Sequence, residues 1–139
     1  MTRKDLMRLR QLTEEVKESA AAVEELRSAA ERTTTLLDGL PCACNTSTMR
    51  ETMTIRLVSA EDKHRALVDE LFWRRTDAMS AIIEDVTDAR CRQLLIARFV
   101  DCESWRAIAR KMFYSTRQLL RLCQKGFRDL EAADAERGK

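Results

Sequence analysis

Glycine, proline and aromatic residues are all scarce in this chain. Its 139 residues include three glycines, one proline and 5% aromatic residues, whereas 35% are charged. Such a composition favours extended helices over a sheet or a large core. We therefore predict an all-α protein, made of one domain or two small helical modules.

Long apolar runs are missing as well. No run approaches the ~20 apolar residues that a membrane-spanning helix needs. The first residues, MTRKDLMRLRQL, are charged throughout, so we expect no signal peptide. The five cysteines are an odd number without the spacing of a disulfide framework, and without an export signal we expect reduced thiols. These features predict a cytoplasmic protein with no membrane partner.

Positive charge is concentrated in one part of the chain. Residues 88–130 contain ten Lys and Arg but four Asp and Glu, whereas the whole chain carries a net charge of +2. The remaining residues are therefore net acidic. A basic module joined to a mildly acidic one indicates that one part meets a polyanion and the other does not.

The first 86 residues are predicted to form a long, coiled-coil-like helical hairpin. A helix over about 3–32 carries an a/d heptad seam that is broken by one serine: Leu9, Leu12, Val16, Ser19, Val23, Leu26 and Ala30. A second helix over about 49–86 opens with a Thr48–Glu51 capping box and has His64, Leu67, Leu71, Ala78 and Ile82 along one side. Between them, the loop at about 33–48 contains Gly39 and Pro41. The seam packs either within its own chain or against a second copy in a homodimer.

Residues 87–131 are predicted to form a helix-turn-helix module of three short helices. Thr87 and Asp88 are suited to cap the first helix, and Ser104 the second. Ser115 caps the third, and Gln118 completes a capping box at its third helical position. Two helices joined by a three- to four-residue turn form the unit whose second helix enters the major groove of DNA. Residues 132–139 lack apolar periodicity and are predicted to be a frayed tail.

The third helix of this module has a basic face that predicts DNA contacts. Arg117 and Gln118 in its first turn, with Arg121 one turn on, are the candidate base readers, because Arg pairs with guanine and Gln with adenine. The candidate phosphate contacts are Arg106, Arg110, Lys111, Ser115, Thr116 and Lys125. A solvated basic helix face without a ligand is the simpler alternative.

The sequence predicts neither a cofactor nor catalysis. Cys42 and Cys44 are a closely spaced pair, but a zinc site needs four ligands and no second pair follows, so we expect no metal. No nucleophile, base and orienting group occur as a set, and there is no phosphate-binding loop. We therefore expect a protein that is not an enzyme.

The segment from Arg92 to Leu130 resembles the promoter-reading region 4 of sigma factors. It is more closely similar to small phage-borne, sigma-like regulators of Gram-positive bacteria, of the ArpU/RinA type. The matching positions are Leu94, Arg98, Phe99, Ser104, Trp105, Ile108, Ala109, Met112, Tyr114, Ser115, Arg121 and Leu122. Cys102 and Phe113 stand where the family usually or often has glycine, so a left-handed backbone at Phe113 would be strained. Arg106 and Ala107 replace residues that are usually acidic.

The resemblance implies a phage or prophage transcriptional regulator that binds double-stranded DNA sequence-specifically in the cytoplasm of a bacterial host. It also implies contact with RNA polymerase, with the hairpin serving that contact or self-association. Two other functions fit the same helical pattern. One is DNA recognition during packaging, as in small terminases, and the other is a structural helical adaptor that does not bind nucleic acid.

Overall fold

The structure is a computed structural model that describes residues 1–37 and 44–139, with side chains described for residues 1–33 and 48–139. Within these ranges all regular secondary structure is helical. Helix α1 spans Arg3–Leu37 and α2 spans Cys44–Asp85. Helix α3 (Ala89–Leu95) runs into a π-helical turn (Ile96–Val100), and α4 (Trp105–Met112) and α5 (Thr116–Arg137) follow. The all-α prediction is confirmed.

Both long helices extend further than the sequence pattern predicted. The segment read as a loop contributes a last turn to α1 and a first turn to α2. A threonine hydroxyl can bond back to a helix carbonyl and so remain satisfied inside a helix. Thr33 donates to the Ala29 carbonyl at 2.8 Å and Thr52 to the Thr48 carbonyl at 2.8 Å. The predicted capping box at Thr48 is wrong, since α2 begins at Cys44.

The chain divides into two compact units. The larger unit contains residues 1–13 and 71–139, and the smaller unit contains residues 14–70. Residues 1–13 and 71–86, predicted as part of the hairpin, thus belong to the same unit as α3, α4 and α5. The following side chains of the larger unit are each 1% exposed or less and form its core: Leu6, Leu9, Leu12, Ala78, Ile82, Leu94, Leu95, Ile108, Leu119 and Leu130.

Helices α3 and α5 approach each other closely at Gly126. A Cβ atom at this position would lie 2.8 Å from Leu95 Cδ1 and 3.5 Å from Cys91 Cβ. A glycine inside a helix costs about 1 kcal/mol of helix stability relative to alanine. Here the absence of a Cβ atom permits the close contact. Phe99 and Phe127 extend it, with ring centroids 5.6 Å apart.

Helix α5 differs from its predicted form in two ways. Helical spacing predicts an apolar stripe of Leu120, Cys123, Phe127 and Leu130 on this helix. Leu119 is instead fully buried whereas Leu120 is 46% exposed, so the stripe begins one residue earlier. The helix also continues to Arg137 through the segment predicted to be a frayed tail. Alanine, glutamate and arginine favour helix there, and Arg137 pairs with Asp85 at 2.6 Å and with Glu84 at 3.6 Å.

In the smaller unit, α1 and α2 run in opposite directions. Ser19 Oγ lies 2.7 Å from His64 Nδ1, and Arg27 pairs with Glu61 at 2.9 Å. The residue number of the α2 partner decreases as that of the α1 residue increases, so the two segments are antiparallel. Ser19 Oγ also lies 2.9 Å from the Val16 carbonyl. Its single hydroxyl proton is donated either to that carbonyl or to His64 Nδ1, according to the histidine tautomer. The serine that interrupts the apolar seam is thus hydrogen-bonded to the one histidine of the chain.

Candidate nucleic-acid interface

Helix α4 is held at its start by a cap and by a stacked arginine. The Ser104 hydroxyl accepts from the Ala107 amide at 3.2 Å, as predicted for this cap. Arg98 donates to the Glu103 carbonyl at 2.8 Å and lies 4.6 Å from the centre of the Trp105 ring. Burial lowers the pKa of the Arg98 guanidinium. Arg98 therefore fixes the connection that sets where α4 begins.

A three-residue turn, Phe113–Ser115, joins α4 to α5. Phe113 ends α4 with φ 57° and ψ 37°, in the left-handed region. For a residue with a Cβ this conformation costs about 1–2 kcal/mol. The backbone strain that the sequence indicated at Phe113 is present. In the described chain, Cys102, with φ 56°, is the other non-glycine residue with positive φ.

The predicted capping box of α5 is confirmed, and it engages Gln118. The Ser115 hydroxyl accepts from the Gln118 amide at 3.3 Å. The Gln118 side-chain oxygen accepts from the Ser115 amide at 2.9 Å and from the Ser115 hydroxyl at 3.2 Å. An amide oxygen has two lone pairs, and both are used here. Gln118 is therefore not arranged for the bidentate adenine contact that the sequence suggested, and the Ser115 hydroxyl also belongs to the cap.

Arg117 and Arg121 lie one turn apart at the start of α5, and both are exposed. In the described part of the chain no carboxylate pairs with either guanidinium. Buried Leu119 and Cys123 lie on the packed side of the same helix. Residues four apart share a helix face, so two free guanidinium groups stand side by side beyond the capped N-terminus. That terminus carries partial positive charge of its own.

Both of the predicted phosphate-contacting lysines are engaged within the protein. Lys111 pairs with Glu103, and Lys125 pairs with Asp88 at 2.8 Å. The hydrogen bond from Lys125 lowers the pKa of Asp88, and the same bond raises the pKa of Lys125. Because each lysine already faces a carboxylate, a phosphate would have to compete with that partner.

The other predicted phosphate contacts remain open to a ligand. Arg106 and Arg110 are exposed and lie one turn apart on α4. Among the described residues neither has an ion-pair partner. Thr116, the first residue of α5, is also exposed. The turn thus lies between two arginine pairs, one on each helix.

Sequence reasoning did not identify Phe113 as a member of this surface. Its side chain is 92% exposed, the highest value among the exposed large apolar side chains of the described chain. The signal was available, because the residue stands in a turn position suited to glycine. That position predicts backbone strain but does not by itself predict contact with a ligand.

Cysteine chemistry adds no second site among the described side chains. Cys91, Cys102 and Cys123 are free thiols; Cys91 and Cys123 are buried, whereas Cys102 is half-buried. Burial raises the pKa of Cys123 to about 11. Among the described residues, no group of three or more His, Cys, Asp or Glu could hold a metal ion. Cys42 and the side chain of Cys44 lie outside the described residues.

No helix within the described ranges is long and apolar enough to cross a membrane. Comparison of the chain with protein-family models, with curated proteins and with solved structures found no match.

Proposed function

We propose that this protein is a sequence-specific, double-stranded-DNA-binding regulator of transcription that reads its site with α5. The observation that carries the proposal is the free arginine pair Arg117 and Arg121 on the exposed face of a capped helix. This helix follows α4 after a three-residue turn. A short helix, a tight turn and a second helix with basic residues in its first turns are the parts of a helix-turn-helix reader.

The two arginine pairs have different roles in this proposal. Arg117 and Arg121 reach base edges in the major groove, where a guanidinium pairs with both acceptors of guanine. Arg106 and Arg110 on α4 contact backbone phosphates and set the orientation of the module. Lys111 and Lys125 contribute less, because Glu103 and Asp88 already neutralise them.

The antiparallel helices of the smaller unit serve self-association or contact with RNA polymerase. Ile55 and Val58, one turn apart on α2, are 68% and 49% exposed, which leaves apolar surface for a partner. The resemblance to sigma-like phage regulators supports the polymerase contact and a role in the cytoplasm of a bacterial host.

The test starts with selection of bound duplexes from a random library. Affinity for the selected duplex and for an unrelated duplex is then titrated at several salt concentrations. We expect tight binding to the selected site, with the logarithm of the binding constant falling linearly with that of salt concentration, by about 0.9 per neutralised phosphate.

Absence of any salt-dependent binding would contradict the proposal and favour a structural adaptor. The mass of the protein in solution separates the remaining alternative. A monomer or dimer agrees with a regulator, whereas a ring of eight or more subunits would favour DNA recognition during packaging.

A further inference from the structure

Phe113 combines two features that do not favour folding of the larger unit. Its backbone is left-handed, with φ 57°, a conformation that glycine adopts without steric cost. Its ring is 92% exposed, so it buries almost nothing in return. Residues held in disfavoured backbone conformations cluster at functional sites, and inference properly runs from such an outlier to a function.

Cys102 provides an internal comparison. It has nearly the same backbone, with φ 56°, but its side chain is half-buried and its thiol donates to the Phe99 carbonyl at 3.6 Å. A side chain at that position therefore has a role inside the unit. For Phe113, the exposure of the ring leaves no comparable role.

The surroundings of Phe113 indicate what the ring meets. Arg110 precedes it in the last turn of α4, and Arg117 follows it in the first turn of α5. Along the chain, the exposed ring of Phe113 thus lies between two arginines that have no ion-pair partner among the described residues. This pattern is complementary to a ligand that offers negative charge and apolar surface side by side. Duplex DNA does so, because its phosphates flank deoxyribose faces and, in the major groove, thymine methyl groups that phenylalanine contacts.

We propose that Phe113 is a DNA-contacting residue whose ring packs against a deoxyribose or a thymine methyl beside the bases that Arg117 reads. This inference rests on the proposed function. It predicts that the strained turn is kept for binding, so that stability and affinity change in opposite directions when the ring is removed.

The test compares Phe113→Gly with Cys102→Gly, because both relieve the same backbone strain. We expect Phe113→Gly to unfold at a higher temperature than the wild type. Cys102→Gly should gain less, because it also loses the half-buried side chain and its hydrogen bond to the Phe99 carbonyl. Phe113→Gly should bind the selected duplex roughly five- to tenfold more weakly, the scale of one apolar side chain leaving a contact. Cys102→Gly should keep wild-type affinity, and Phe113→Tyr, which keeps the ring, should lose little.

A selected duplex with uracil in place of thymine distinguishes the two apolar partners. Wild-type protein should lose affinity on it if the ring contacts a thymine methyl, and should keep affinity if the ring contacts deoxyribose. Phe113→Gly with full affinity, while Arg117→Ala binds weakly, would overturn this inference and leave the proposed function standing. If the wild-type protein binds no duplex at all, the proposed function and this inference both fail.

Discussion

At the scale of single residues, the Gln118 side chain cannot perform both of the roles that the sequence predicts for it. Gln118 was expected to complete the cap of α5 and to read a base. Its side-chain oxygen accepts two hydrogen bonds from Ser115, which leaves it no acceptor for the adenine amino group. We therefore restrict base reading in the proposal to Arg117 and Arg121. The sequence predicts both roles for Gln118, whereas the hydrogen bonds in the structure show which of them the side chain performs.

Replacing Gln118 should affect stability and not specificity. Gln118→Ala removes one half of the capping box and should lower the free energy of unfolding by about 0.5–1.5 kcal/mol, the net contribution of one hydrogen bond. The ratio of affinities for the selected and unrelated duplexes should stay near that of the wild type. Urea denaturation and duplex titration measure the two quantities, and Gln124→Ala, on the exposed face of α5, is the control for stability. A relaxed preference at an A·T pair would show instead that Gln118 reads a base.

The cysteines should differ in reactivity for a physical reason that residue spacing cannot supply. The reactive species is the thiolate, and burial raises the pKa of Cys123 from 9.0 to about 11 and also raises that of Cys91. In native protein near neutral pH, iodoacetamide should label Cys102 before either of them. Peptide mass mapping over time gives the order, and urea-unfolded protein should lose it. Labelling of native Cys123 as fast as Cys102 would contradict the packing described for α5.

The same pKa shift gives the sign of a pH effect on stability. Below pH 9 the Cys123 thiol is protonated in both the folded and the unfolded chain. Between about 9 and 11 the unfolded chain ionises while the folded chain keeps its proton, so stability should fall as pH rises. Urea titrations at pH 8 and pH 10.5 measure this fall. Cys123→Ala should show a smaller fall than the wild type, and an equal fall in both proteins would contradict the assignment to Cys123.

At the scale of helices, the sequence predicted the order of the elements and the caps of the short ones. Asp88, Ser104 and Ser115 cap the predicted helices, because these residues compete for backbone amides by a local mechanism. The phase of α5 could not be predicted in the same way. Leucines at positions 119, 120 and 122 permit more than one apolar stripe, and the close approach at Gly126 selects the one that buries Leu119.

Gly126→Ala tests this close approach. The added Cβ would meet the fully buried Leu95 at 2.8 Å, and overpacking of this kind costs about 1–3 kcal/mol. This exceeds the roughly 1 kcal/mol gained by replacing a glycine inside a helix, so the free energy of unfolding should decrease. In a Leu95→Ala background, which makes room, the same change should be neutral or stabilising. A loss of equal size in both backgrounds would contradict the packing of α3 on α5.

The ends of the helices were the least predictable feature from sequence. A segment rich in serine and threonine is usually predicted to be a loop. In α1 and α2, however, threonine hydroxyls bond to carbonyls of the same helix. The end of α5 depends on Arg137 reaching Asp85, a contact between residues far apart in the chain. Local sequence patterns cannot predict contacts between residues so far apart in the chain.

At the scale of the whole molecule, the larger unit contains the proposed DNA reader and the smaller unit contains the proposed surface for self-association or polymerase contact. The charge pattern had indicated such a separation of roles, because the excess of basic residues lies within 88–130. The boundary itself could not be predicted, since α1 and α2 each contribute to both units and periodicity continues through the division.

The central claim is that Arg117 and Arg121 read the DNA sequence, and one titration tests it most directly. The double variant Arg117→Ala/Arg121→Ala is compared with Arg56→Ala/Arg65→Ala, which removes the same charge from two exposed positions of the smaller unit. Both are titrated against the selected and unrelated duplexes at several salt concentrations.

We predict that the first variant loses about 1–3 kcal/mol of discrimination for each arginine removed, whereas the second keeps the preference of the wild type. If Arg117 and Arg121 acted only through their charge, the first variant would weaken on both duplexes alike and would keep the preference of the wild type. If the Arg117→Ala/Arg121→Ala variant keeps full affinity for the selected site, α5 is not the reading helix and the account is contradicted.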